Sequence, residues 1–287
     1  MNSNKALDML DLKLDLVYLD TGFKGKFEDA EIAESQYSET TTRSAYLRSW
    51  LNAPIRDDLT LEIELLALSF SIGLQDATTY PKHLCFASNQ TGNTIFLAVG
   101  ASGIAPSKLF SFANVGFALT LFLLGGFVMG QIGNMVGPRR RIWLLVSNVI
   151  QTMMVSGAAV LSYVFPDSGY GPLAWLVISL LAFAAGGQVA MARGVKITEI
   201  STAMASSAYV DVLVDPKLWD RHNRSRNRRI AFLIMLTAGG FAGAYSYKYT
   251  NSAFALLLSA IIKVAVTVAL GFNKRMTEEE LEEFSRR

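Results

Sequence analysis

Three ionisable residues stand in stretches that are otherwise almost wholly uncharged: Asp76, Asp211 and Lys263. An ionised side chain inside lipid costs about 2.5–3.5 kcal/mol on insertion scales unless it is paired or hydrated, so each is a candidate carrier of an ion or charged solute. Lys263 is the sharpest of the three. Its neighbours are uncharged from Tyr249 to Ile262 and from Val264 to Asn273. It lies ~15 Å, about ten residues, from either end of its segment, too deep for easy snorkelling. Lys263 should face the bundle interior and meet a carboxylate, Asp76 or Asp211, or a substrate anion. A buried ion pair that only fixes packing is an equal alternative. Asp76 stands beside Gln75 and shortly before the polar interruption Thr91-Gly92-Asn93. Broken segments expose backbone amides and carbonyls, tolerated at membrane depth only where protein or water surrounds them. Gln75, Asp76, Thr91, Gly92 and Asn93 therefore form a candidate midplane site with Asp76 as proton or cation carrier. The competing reading is that Asp76 caps a helix end.

Other chemistries find little material. The single Cys85 excludes a disulfide framework or a cysteine-rich zinc site, and His83 and His222 leave little for metal binding. There is no HExxH pair, nucleophile motif or phosphate-binding glycine loop, so neither an enzyme nor a bound cofactor or metal is expected. A net charge of +2 argues against nucleic acid as a partner.

The elements that must position these residues follow from composition. Of 287 residues, 51% are hydrophobic and 17% charged, and mean hydropathy is +0.31. Eighteen of the 50 charges lie in residues 1–58 and nine in 274–287, leaving 23 for the 215 residues between. Several uncharged runs, such as 109–138 and 142–166, reach the length that fits a ~30 Å hydrocarbon layer. The expectation is an all-α integral membrane protein whose main partner is the lipid bilayer. Residues 1–58 are expected to form a cytoplasmic, largely disordered charged tail with a candidate interfacial helix near 44–56, for which an ordinary linker is an equal alternative, 59–273 a polytopic domain, and 274–287 a short cytoplasmic C-terminal helix opened by a Thr277/Glu280 capping box.

Eight segments are legible within the polytopic domain. Leu59–Tyr80, Leu109–Ile132, Ile142–Phe165, Leu173–Met191, Ile230–Tyr247 and Ser252–Phe272 read as spans, while Leu84–Gly100 and Lys196–Leu213 are short of apolar length or broken. Two strongly basic loops, Arg139–Arg141 and 217–229, should share the cytoplasmic face. Three full crossings between them would separate them. Making Lys196–Leu213 re-entrant, and Leu84–Gly100 likewise in the first half, repairs the conflict. Six crossings, two re-entrant or broken segments and both termini cytoplasmic result. Gly126/Gly130 and Gly239/Gly243 give small-xxx-small spacing that suits close helix packing, with a homo-oligomer through these faces as a further option.

Two stretches are internally similar. Gly73-Leu-Gln-Asp-Ala77 matches Gly186-Gly-Gln-Val-Ala190, aligning Gln75 with Gln188, and each is followed by a small polar run, 87–94 and 200–207. Halves of about 59–165 and 173–272, beginning on opposite faces, amount to a candidate inverted repeat, the architecture of many secondary transporters. Gln188, Ser206, Ser207, Asp211 and Lys263 thus join the candidate pathway. Gly73-Leu-Gln-Asp-Ala77, Phe86 and Thr91-Gly-Asn-Thr94 also resemble the signature of the YoaK-like family of uncharacterised multi-pass membrane proteins. Gly187-Gln188, Thr202 and Tyr209-Val-Asp-Val-Leu213 are similar to its later elements, with Ser206-Ser207 standing where Thr-Gly is the family pattern. The resemblance covers roughly Leu59 to Phe272 and implies a membrane protein without an assigned activity. A secondary transporter of a small polar or ionic solute is the leading expectation. The alternative is a non-transporting multi-pass scaffold whose cytoplasmic tail recruits partners.

Overall fold

The computed structural model of the chain describes residues 43–104, 109–166, 169–277, 279–280 and 282, so the expected tail 1–42 lies outside the described residues. Two compact units divide it, Met1–Asn52 and Ala53–Arg287. In the first, residues 43–52 form helix α1, whose Asn52 amide donates to the Arg48 carbonyl at 2.8 Å.

The second unit is helical throughout its described residues apart from isolated bridges. In chain order it contains α2 (Leu59–His83), α3 (Gln90–Ala101), α4 (Phe112–Val136), α5 (Arg141–Val164), α6 (Pro172–Gly194), α7 (Ala205–Leu213), α8 (Arg224–Tyr249) and α9 (Ser252–Phe272). Apolar side chains reward helix here because a helix satisfies its own backbone in a medium without water. The starts are punctuated by polar caps. Asp58, Asn89, Ser111, Asn223 and Asn251 each accept a bond from a backbone N–H two to three residues into the following helix. Pro172 opens α6. Pro81 sits in the last turn of α2, which stops at Leu84 with φ 55°.

Five helices, α4, α5, α6, α8 and α9, are long and apolar enough to cross a membrane. They identify an integral multi-pass membrane protein. Helix α2 equals them in length at 25 residues but carries Glu62 and Glu64. Helices α3 and α7 have 12 and 9 residues, about 18 and 14 Å at 1.5 Å per residue, well short of a bilayer.

Packing is built from pairs. Helix α4 lies along α6 and α2 along α8, while α5 packs against α9 and α6, and α9 against α2. The first two pairs run parallel: residues 70, 73 and 74 of α2 meet 239, 240 and 243 of α8, while 125, 126 and 130 of α4 meet 183, 186 and 190 of α6. Both pairs are closed by glycine. A Cβ on Gly239 would overlap the Phe70 carbonyl oxygen, and one on Gly186 would overlap that of Phe122. The Gly126/Gly130 and Gly239/Gly243 spacings therefore face helices of the same chain.

Hydrogen bonds sort the helix termini into two ends. At one, Ser111 N donates to Leu84 O at 3.1 Å and Asn114 Nδ2 to His83 O at 2.7 Å. Lys82 Nζ there reaches Ser252 Oγ at 2.9 Å. Leu84 and Ser111, the entry and exit of the segment containing α3, are thus in contact. At the other end, residues 53–56 form a strap: Ile55 N donates to Arg139 O and Arg56 N to Lys274 O, both at 3.0 Å, and Arg141 N to Ala53 O at 3.1 Å. Arg139 Nε donates to Val195 O at 2.8 Å. Arg228 pairs with Asp57 at 2.6 Å and Glu62 at 2.7 Å, and lies 3.7 Å from Glu199. Arg224 also pairs with Glu62.

Both basic loops accordingly occupy one end of the bundle. Arg228 is mostly buried and serves the interior contacts of that end. Glu62 and Glu64, the two acidic residues near the start of α2, are buried (8% and 4% exposed), because partners await them: Arg228 for the first and Asn273, 2.7 Å away, for the second. At the C-terminus the capping box closes as read, with Thr277 N donating to Glu280 Oε2 at 3.0 Å and Glu280 N to Thr277 Oγ1 at 3.4 Å.

Candidate functional site

A cavity of about 740 Å³ lies between the α2–α8 pair and the α4–α6 pair. Gly73, Asp76, Ala77 and Tyr80 face it from α2, and Leu236, Gly240 and Ala244 from α8. These spacings of three and four place each set on one helix face. Phe122 of α4 and Arg193 of α6 line the other side. The remaining wall comes from the two interruptions: Ser88–Thr91 at the start of α3 and Ala203–Ser207 at the start of α7. The similar stretches 87–94 and 200–207 thus enter one cavity, the first from the Leu84 end and the second from the Arg224 end.

Asp76 fixes the turn that opens α3. Its carboxylate accepts from Ser88 N at 2.8 Å and from Ser88 Oγ at 2.5 Å. Asn93 closes the turn behind it, accepting from Phe86 N at 3.0 Å and donating to Phe86 O at 2.8 Å. A Cβ on Gly92 would lie 3.3 Å from the Phe86 ring. Phe86 itself stacks on Tyr80, with ring centroids 4.7 Å apart. Of the first candidate set, Asp76 and Thr91 line the cavity. Gly92 and Asn93 shape the turn, and Gln75 points elsewhere, because successive residues on a helix are ~100° apart.

Gln75 belongs to a second polar cluster, where α2, α5, α6 and α9 meet. Lys263 is 1% exposed and donates to Gln151 Oε1 at 3.0 Å and Gln188 Oε1 at 2.5 Å. Gln188 Nε2 donates to Leu68 O at 3.1 Å, and Gln151 Nε2 to Ser147 Oγ at 2.9 Å. One turn along α9, Gln75 Nε2 donates to Ser259 Oγ at 3.0 Å, itself 2.7 Å from Ser71 Oγ. The Gln75 Oε1 atom is buried with no hydrogen-bond partner among the described residues.

The expected meeting of Lys263 with Asp76 or Asp211 is not made. Asp76 faces the cavity from another side of α2, and Asp211 sits half-exposed on α7, 3.6 Å from Arg229. Amide oxygens take the ammonium instead. The burial of Lys263 expected from its depth does hold. Sequence reading missed Gln151, Ser71 and Ser147, although Ser147, Asn148, Gln151 and Thr152 form a polar stripe of helical period inside the uncharged run 142–166. Arg193 was also missed. It reads as an orienting charge at a segment end, and only the fold brings it to the cavity.

Ser206 and Ser207 reach the cavity from the first turn of α7, whose N-cap residue Met204 makes no side-chain capping bond. Among the described residues no group of three or more His, Cys, Asp or Glu side chains could hold a metal ion.

Residues 65–269 match a family described as "Protein of unknown function (DUF1275)". The Gly73–Thr94 motif and both polar stretches fall inside the matched region. No curated protein and no solved structure matches the chain.

Proposed function

The chain belongs to the DUF1275 family of unknown function, and from that premise we propose that it is a secondary transporter of a small polar or ionic solute, with the cavity as its solute site. The YoaK-like resemblance is the finer form of that membership. In this reading α2, α4, α5, α6, α8 and α9 cross the bilayer, and the segments holding α3 and α7 are re-entrant. Both termini lie on the cytoplasmic side, where the basic loops belong.

The observation that carries the proposal is the convergence of two interrupted segments, from opposite ends of the bundle, on one cavity. Polar backbone at membrane depth is expensive unless it serves a water-lined or solute-lined space. The register of the helices supports an inverted repeat. Gln75 and Gln188 are 113 residues apart, Gly125 and Gly239 114, and Gln151 and Lys263 112. Under this shift the α2–α8 pair becomes α6–α4, and α5 and α9 exchange places. Because α4 runs parallel to α6 and α2 parallel to α8, while α5 opposes α9, the two halves run in opposite directions. Fixed midplane sites between such halves are the common design of secondary transporters.

The test is solute-driven uptake. Purified protein in proteoliposomes is screened against a panel of small polar solutes by thermal stabilisation, and each stabilising solute is then followed for uptake. Uptake abolished by Ser207→Trp, which fills the cavity, supports the proposal. A stable protein with no flux for any stabilising solute refutes it and leaves the scaffold alternative.

A further inference from the structure

We infer that the occupant of the cavity is a planar organic carboxylate, with Arg193 as the side chain that binds its charge. This rests on the reading of the cavity as the solute site and names the substrate class for it. The charge balance of the lining is the starting point. Asp76 and Arg193 are its acidic and basic members. Both carboxylate oxygens of Asp76 accept from Ser88, which ties the group to the turn before α3 instead of leaving it free to swing toward a guest. Arg193 has no ion-pair partner among the described residues, although carboxylates satisfy its neighbours at the same end of the bundle, Arg224, Arg228 and Arg229. The lining therefore presents an unmatched guanidinium, whose planar fork suits a carboxylate.

Size and wall chemistry narrow the class. About 740 Å³ is far more room than an inorganic ion needs, and falls in the range of pockets for organic ligands. Phe122, on the wall that also carries Arg193, and the stacked Tyr80–Phe86 pair toward the Leu84 end supply aromatic surface that favours a flat unsaturated body. The hydroxyls of Thr91, Ser206 and Ser207 add neutral donors, and the starts of α3 and α7 bring backbone N–H groups that reinforce the preference for negative charge.

Three probes of one shape and different charge test this: benzoate, benzamide and benzylammonium, each radiolabelled and bound to the full-length protein in nanodiscs. Benzoate is expected to bind, with benzamide and benzylammonium weaker by about tenfold or more, the scale of one charge-assisted contact. Arg193→Gln should abolish the preference for benzoate and Arg193→Lys restore part of it. Because the Arg193 side chain makes no hydrogen bond or ion pair among the described residues, neither substitution removes a contact that holds the fold, which circular dichroism checks. Binding of benzamide or benzylammonium in preference to benzoate overturns the inference, as does failure of all three to bind or benzoate binding indifferent to Arg193. Counterflow of benzoate separates the two levels: Arg193-dependent binding without counterflow sustains the inference and refutes transport, whereas counterflow of a non-anionic probe does the reverse.

Discussion

Asp76, part-buried on the cavity wall, and Lys263, fully buried, are both acid–base groups inside a membrane bundle, yet their surroundings give them different tasks. Asp76 accepts through both oxygens from Ser88 and so holds the turn before α3 against α2. Asp76→Ala leaves the buried Ser88 donors unanswered, a loss of about 1–3 kcal/mol, and the amides of residues 86–91 should exchange with solvent much faster while α4 to α6 keep their protection. Unchanged exchange there would show that Asn93 alone closes the turn. Lys263 donates to two glutamine oxygens and pairs with no carboxylate. Replacing a buried charge by an apolar chain of similar length is often neutral or stabilising, so Lys263→Met should purify folded, its stability within about 2 kcal/mol of wild type once two lost amide contacts are counted. Loss of flux in that folded variant would give the ammonium a part in transport, and loss of folded protein would reduce it to a fastener. Both residues were legible in the sequence because charge is conspicuous in apolar surroundings. Their partners were not, since Ser88, Gln151 and Gln188 are neutral and only three-dimensional packing chooses among many neutral polar side chains.

Backbone contact governs the elements. The α2–α8 and α4–α6 pairs approach so closely that Gly239 and Gly186 have no room for a Cβ. Gly239→Val and Gly186→Val should each destabilise by about 1–3 kcal/mol or more through overpacking, seen as a fall in melting temperature and in monodisperse yield. Gly116→Ala, where nothing lies within 4 Å of the new carbon, should leave both unchanged. The small-residue spacing was readable in advance, and so were the lengths of the five apolar helices. Helix α2 was readable only by accepting Glu62 and Glu64 near its start, and their burial was not, because it depends on Arg228 and Asn273 arriving from segments more than 160 residues away. The C-terminal cap was written locally in Thr277 and Glu280. The Thr277 backbone N–H there holds the Glu280 carboxyl below its ordinary value. The cap is therefore complete above the usual glutamate range and is lost as acidification passes the lowered value, which hydrogen exchange at the Thr277 amide would follow.

For the whole molecule, the proposed topology makes a labelling pattern. On a Cys85→Ala background, Pro81→Cys and Ser102→Cys should react with an impermeant thiol reagent from one side of the membrane, and Lys196→Cys and Lys217→Cys from the other. Reaction of Pro81→Cys and Ser102→Cys from opposite sides would make the α3 segment a true crossing and dissolve the shared cavity. Parity of the basic loops anticipated that both lie at one end of the bundle, because charge asymmetry constrains how many times a chain can cross. It could not anticipate that both interruptions meet, since each was read only against its own half. The glycine-closed pairs have a mechanical corollary. With carbonyls seated against Cα atoms and no layer of side chains between, neither pair can shear without first separating, so each behaves as a stiff strut. The compliant surfaces are the seams filled by rotameric side chains, and one of these holds the cavity. Relative motion of the α2–α8 pair against the α4–α6 pair should therefore hinge across the space where a solute would sit, opening one mouth as it pinches the other.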